Sequence, residues 1–234
     1  MDLNDDDDEY DLVSNPGSIP DIARVVFEPP PTKVAYANFE TARFTPQDIQ
    51  ANVRRALDRN PDRPHLFADN STVRIYVDGT FDIFNVGHAL QLRQAKLSFP
   101  SVYLLVGVFS DQLMANYGYA SYLPHVERCE LVRHCRWVDE VVSEAPWTIN
   151  HEFLQQQKIQ YICVEDGITV DPSCDKARLK GYDEIKSLGK AIPTRRTIGL
   201  VPATKIATCP STPTIYHEHS LPRTLSSASL HTRA

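Results

Sequence analysis

Val77-Asp78-Gly79-Thr80-Phe81-Asp82-Ile83-Phe84-Asn85-Val86-Gly87-His88 joins a strand pattern to a helical one. Val73, Ile75 and Val77 alternate on its amino-terminal side, and Ala89, Leu92, Ala95 and Lys96 follow at helical spacing. A strand that feeds a glycine-containing turn and then a helix is a natural phosphate cradle. Gly87 leaves room for backbone to approach an anion, and the first N–H groups of the helix carry partial positive charge. His88, at the helix start, is placed to donate to a phosphate oxygen and to stabilise charge that builds up in group transfer. A surface histidine on a plain strand-turn-helix is the bland alternative, and a lone Gly-His pair would fit it equally well.

Outward from this turn, strand and helix patterns alternate. Val73–Val77 reads as a strand and His88–Leu97 as a helix. Val102–Val108 is nearly all apolar, as a strand covered on both faces of a parallel sheet must be. Ser110-Asp111 starts a further helix, Glu127–Cys135 is helical, and Trp137–Val142 is a short strand. Phe153–Gln157 reads as a helix, Tyr161–Val164 as a buried strand, Lys176–Leu188 as a helix stopped by Gly189, and Thr194–Leu200 as the last strand. The alternation predicts an α/β domain with a doubly wound parallel sheet, its ligands at the carboxyl ends of the strands. The candidate site residues fall just after strands, in agreement. Upstream, Thr45-Pro46-Gln47-Asp48 combines an N-cap, a first-turn proline and a first-turn acid, and Ile49, Val53 and Leu57 form one helical face. The expected organisation is a disordered acidic and proline-rich tail over 1–32, a helical extension and linker over 33–72, the α/β domain over 73–206, and a disordered tail over 207–234.

Composition narrows the function classes. A net charge of −6 offers no basic stripe for releasing counterions, so no nucleic-acid partner is expected. No apolar run approaches a membrane span, and the acidic start is unlike a signal peptide. The five cysteines are scattered without a C-x-x-C pair, which reads as reduced thiols and no metal site. A soluble protein of the cytoplasm or nucleus is expected.

The signature stretch resembles the HxGH motif of nucleotidyltransferases, in the D-G-x-F-D-x-F-H-x-G-H form of CTP:phosphocholine cytidylyltransferases. The resemblance covers about residues 73–206. It is carried further by Gly107-Val108-Phe109-Ser110-Asp111, by Glu127-Arg128, by His134-Cys135-Arg136-Trp137-Val138-Asp139-Glu140-Val141-Val142, by Ala145-Pro146-Trp147-Thr148 and by Arg196-Thr197-Ile198-Gly199. It implies a Rossmann-like nucleotidyltransferase fold, usually dimeric, joining CTP and phosphocholine into CDP-choline and pyrophosphate with Mg2+ present. Catalytic roles fall on His88, Arg196 and Asn85, the residue in the place of the first signature histidine. Nucleotide contacts fall on Gly79, Phe81, Gly87, His88, Arg136, Asp139 and Thr197. Asp78 and Trp147 suit a quaternary ammonium, one by charge and one by cation–π contact, with Asp166 as a further substrate contact. Core packing for Trp147 and a solvated Arg136–Asp139 pair are the plain alternatives.

Four departures thin the phosphate chemistry. Asn85 replaces an imidazole, and Gly118 falls where the family has its catalytic lysine. Leu200-Val201-Pro202-Ala203 replaces I-S-T-S, and Val164-Glu165-Asp166 replaces H-D-D, with Thr169 in place of a cage tyrosine. The expected function is therefore choline-phosphate cytidylyltransferase-like with weak turnover. The alternatives are an inactive paralogue that binds nucleotide or pairs with an active relative, as homodimer or heterodimer, and a phosphoethanolamine enzyme. Residues 207–234 show no basic amphipathic face, so no direct membrane helix is expected. Sedimentation with anionic vesicles should leave the purified chain in the supernatant. Pelleting that is lost on deleting 207–234 would contradict this.

Overall fold

A computed structural model describes residues 28–58, 71–165 and 176–200. Residues 1–200 belong to one unit and 201–234 to a second, which lies outside the described residues together with the expected 207–234 tail.

The described strands are β1 (Val73–Gly79), β2 (Val102–Val108), β3 (Glu140–Val142), β4 (Tyr161–Glu165) and β5 (Ala191–Thr194). They form one sheet in the order β3-β2-β1-β4-β5, every pairing parallel. Chain order reverses beside β1, so a crevice opens between the carboxyl ends of β1 and β4. The helices are α1 (Lys33–Asn38), α2 (Pro46–Leu57), α3 (Val86–Lys96), α4 (Asp111–Asn116), α5 (His125–Arg133), α6 (His151–Gln156) and α7 (Lys176–Ser187). One apolar cluster packs Val73, Ile75, Val77, Leu92, Phe99, Leu104 and Val106 on one face of the sheet. A second packs Tyr76, Leu105, Ile162, Leu154, Tyr182 and Ile185 on the other. Side chains alternate along each strand, so Ile75 and Val77 face one layer while Tyr76 faces the other.

The last strand differs from its expected place. It spans Ala191–Thr194, because the Arg195 N–H and carbonyl are both taken by the Gln94 side-chain amide at 2.9 Å in place of a neighbouring strand. β3 is shorter than expected, and Trp137 sits in the turn ahead of it, buried in the first cluster. The upstream helix forms as read: Thr45 and Asp48 complete a reciprocal capping box with Pro46 in the first turn. The described chain already begins at Glu28, whose carboxylate pairs with Arg93 at 2.7 Å. No helix among the described residues is long and apolar enough to cross a membrane.

The loops at the carboxyl edge are tied by Arg128 of α5, whose side chain is wholly buried. Its guanidinium donates to the carbonyls of Thr80 (2.6 Å), Phe109 (2.8 Å) and Leu123 (3.1 Å) and to the Asp111 carboxylate (2.6 Å). One side chain therefore fixes the turns after β1 and β2 and the entry to α5. Replacing Arg128 with Met keeps the stem but strands three carbonyls. We expect a loss of about 3 kcal/mol and a melting temperature lower by about 10 °C, read by thermal and urea unfolding. A loss below about 1 kcal/mol would contradict this role.

Candidate active site

The signature turn sits at the carboxyl end of β1. Phe81 and Ile83 hold left-handed backbone angles, φ 48° and 49°. Each costs on the order of 1 kcal/mol for a non-glycine residue. Asp82 between them anchors the turn by accepting the N–H groups of Tyr122 (2.7 Å) and Leu123 (3.0 Å). Phe81 is buried in the core, and its ring fills the space where a Cβ on Gly79 would stand, 3.2 Å away. The roles of these two residues in the structure are thus to shape the turn.

Asn85 is the N-cap of α3. Its side-chain oxygen accepts the N–H groups of Gly87 (2.9 Å) and His88 (3.4 Å), while His88 Nδ1 accepts the Asn85 N–H (3.1 Å). The amide oxygen therefore stands on the donors that an incoming phosphate would use. Burial lowers the His88 pKa from its ordinary value. With Nδ1 accepting, the proton of the neutral ring is on Nε2, leaving an Nε2–H donor. The rings of Phe81 and Phe84 lie 5.6 Å from the imidazole. Gly87 does provide bare space, but Leu200 fills it: a Cβ there would lie 2.5 Å from Leu200 Cδ1.

Across the same edge, Asp78 is almost wholly buried, its side chain 1% exposed. It accepts hydrogen bonds from Arg178 (2.8 Å) and from the Tyr182 hydroxyl, both on α7. The Arg178 guanidinium lies 4.6 Å from the Phe109 ring centroid and 5.1 Å from those of Trp147 and Tyr182. It also donates to the Trp147 carbonyl at 2.9 Å. Helix α7 comes this close because Gly181 has no Cβ; one would stand 2.9 Å from Thr148 Cγ2. Tyr117 stacks on Trp147, ring centroids 4.3 Å apart, and Tyr119 leans on it at 5.7 Å. These tyrosines flank Gly118, whose φ of 78° is a glycine conformation. The position aligned with the family lysine is thus a tight turn within an aromatic flap.

The remaining candidates divide. Arg196 is exposed and lies near Glu165, at the end of β4; burial pushes the Glu165 carboxyl up and the Arg196 charge pulls it down. Thr197 is buried, with its hydroxyl paired at 2.7 Å to Thr41 of the 3-10 turn Glu40–Arg43. Arg136 and Asp139 are not brought to the site, in contrast to the expectation that candidates follow strands. They precede β3 at the opposite, amino-terminal edge, where Asp139 accepts from Lys96 and from the Leu104 N–H (2.6 Å). Leu104 lies four residues before Val108 on β2, about 13 Å along the strand. Asp166 lies outside the described residues, as do Thr169 and Val201-Pro202-Ala203. Arg178 and Tyr182 escaped the sequence reading. Their signal was the face they share with Ile185 on α7, at i, i+4 and i+7.

Among the described residues no group of three His, Cys, Asp or Glu side chains is placed to hold a metal.

A family model described as Cytidylyltransferase-like matches residues 76–227, and the chain belongs to that family. It is 45% identical over 129 residues to the probable choline-phosphate cytidylyltransferase of Schizosaccharomyces pombe, a match covering 55% of this chain and 34% of that protein. It is 44% identical over 128 residues to choline-phosphate cytidylyltransferase A of Homo sapiens, covering 55% and 34%. Identity to the ethanolamine-phosphate cytidylyltransferase of Dictyostelium discoideum is 36% over 128 residues, again covering 55% and 34%. The chain spans about a third of the length of these curated relatives.

The His88 environment has a pH consequence. A folded pKa below the ordinary 6.5 means that the unfolded chain takes up the proton first. Its contribution to stability is therefore full above about 6.5, and declines as pH falls from there towards the lower folded value. Urea unfolding at about pH 7.5 and 5.5 should show the parent losing more stability than His88→Gln, which keeps the capping box without the titration. Equal losses would contradict a buried neutral imidazole.

Proposed function

We propose that the domain is a choline-phosphate cytidylyltransferase-like unit. It takes CTP as its magnesium complex, keeps the carboxylate and ring residues of a quaternary-ammonium subsite with Arg178 now among them, and turns over weakly. The observation that carries this reading is the pairing, at one sheet edge, of the Gly87-His88 helix start with the Asp78–Trp147 cage. In the family reaction a phosphocholine oxygen attacks the α-phosphorus of CTP, and the bond to pyrophosphate breaks. The protein's task is to align the two phosphates and stabilise the added negative charge. His88, through Nε2–H, and Arg196 are the donors this chain offers for that charge.

The deficits are as specific as the retained parts. Asn85 covers helix N–H groups with its own oxygen, Leu200 covers Gly87, and Gly118 supplies no charge. Each lost preorganised donor typically lowers the rate by about 10²–10³. The losses need not multiply. A second reading, a catalytically inactive paralogue that binds nucleotide and forms a homodimer or a heterodimer with an active relative, is favoured by the apolar Leu200 side chain over the turn. Phosphoethanolamine has weaker support, because identity to the ethanolamine-phosphate enzyme is lower, 36% against 44% and 45% to the choline-phosphate enzymes. The acidic composition without disulfide spacing fits the cytoplasm or nucleus.

Calorimetry with magnesium–CTP, paired with a radiolabelled phosphocholine transfer assay, tests the reading. We expect measurable CTP binding and a transfer rate at least about 100-fold below that of an active choline-phosphate cytidylyltransferase. No CTP binding at millimolar concentration would overturn it, as would a rate matching the active enzyme.

A further inference from the structure

We infer that Arg178 is the resident cation of the aromatic–carboxylate cage, and that it closes this cage to quaternary ammonium ligands. This rests on the reading of Asp78 and Trp147 as the headgroup subsite. A quaternary ammonium site needs a buried counter-charge and ring faces within about 6 Å of the cation. The structure supplies both, and the Arg178 guanidinium already uses them. Its carbon is within that distance of Phe109, Trp147 and Tyr182, and its N–H groups reach Asp78. The side chains of Arg178 and Asp78 are 10% and 1% exposed, so the pair leaves little room for a second cation. The Trp147 carbonyl and the Tyr182 hydroxyl fix the guanidinium plane, at 2.9 and 3.1 Å from its terminal nitrogens. Tyr117 stacks on Trp147 and adds a further aromatic wall to the cage.

The geometry follows from position on α7. Arg178 and Tyr182 are one helical turn apart on its buried face, and Gly181 lets that turn approach the chain beside Trp147. Asp78 is the last residue but one of the central strand, and its side chain is shut off from solvent. Its negative charge is therefore matched by whichever cation reaches it. The tethered guanidinium, held at very high effective concentration, outcompetes a free ligand. Removing it should leave a carboxylate and three rings selective for a small organic cation.

The test uses the full chain as parent, Arg178→Ala, Arg178→Gln, and Arg178→Ala combined with Asp78→Asn. Circular dichroism establishes folding, and thermal unfolding is followed with phosphocholine, tetramethylammonium or methylguanidinium at millimolar concentration. The parent should show no shift with any of them. Arg178→Ala should melt about 10 °C lower and be raised by several degrees by each cation. The double variant should lose that response. Arg178→Gln keeps an amide donor to Asp78 and stands in if the alanine variant does not fold. A parent that responds like the variant, or a folded variant with no response, overturns the inference. CTP calorimetry on the same samples separates the two readings: cation rescue without CTP binding would sink the nucleotide reading alone, and CTP binding without rescue would sink the resident cation alone.

Discussion

A carboxylate buried at the carboxyl end of the central strand is the constraint around which the active edge is built. Asp78 sits in the middle of the sheet with its side chain 1% exposed. Uncompensated, such a charge costs several kcal/mol even after relaxation. Compensation comes from α7, and the demand reaches through several elements. Arg178 reaches Asp78 only if α7 lies close to the chain after β3, which Gly181 permits. It stays in register because Tyr182, one turn on, also bonds the carboxylate. Phe109 after β2 and Trp147 after β3 then supply the ring faces that make an arginine preferable to a lysine there. Arg128 holds the turns after β1 and β2 through the Thr80 and Phe109 carbonyls.

The phosphate end of the edge follows the same logic. A helix N-terminus beside a glycine turn has unsatisfied donors, and these must be met by a ligand, by water or by the chain itself. Asn85 meets two of them, His88 closes the box, and Leu200 fills the glycine cradle. Both halves of the site are thus satisfied from within the chain. Asn85 and Arg178 each have internal partners, so these groups do not depend on a bound ligand for their hydrogen bonds. What is given up is donors and charge free for a ligand.

Much of the fold was legible because its signals are local. The apolar run Val102–Val108 is β2 residue for residue, and the Thr45 N-cap with Pro46 and Asp48 in the first turn is present as read. The HxGH-type stretch marked the end of β1 and the start of α3. Errors arose where pairing decides. Residues 194–200 read as a strand, but the Gln94 side chain takes the Arg195 N–H and carbonyl, and the strand stops at Thr194. Arg136 and Asp139 follow a helix and precede a strand, so the sheet puts them at its far edge, where Asp139 serves Lys96 and Leu104. Arg178 was invisible for a different reason. A charged residue on a helix reads as a solvated one, and only the contact with a buried carboxylate one hundred residues away in sequence reveals its role.

In the proposed reading the signature turn still admits a nucleotide, more weakly than in an active relative, while Arg178 holds the headgroup end. The most direct measurement is a crystal structure grown with magnesium–CTP and saturating phosphocholine. Cytidine nucleotide density is expected at the carboxyl edge between β1 and β4, with the Arg178 guanidinium still against Asp78 and the Trp147 ring. A choline group seated between Asp78 and Trp147, with Arg178 swung out, would contradict it.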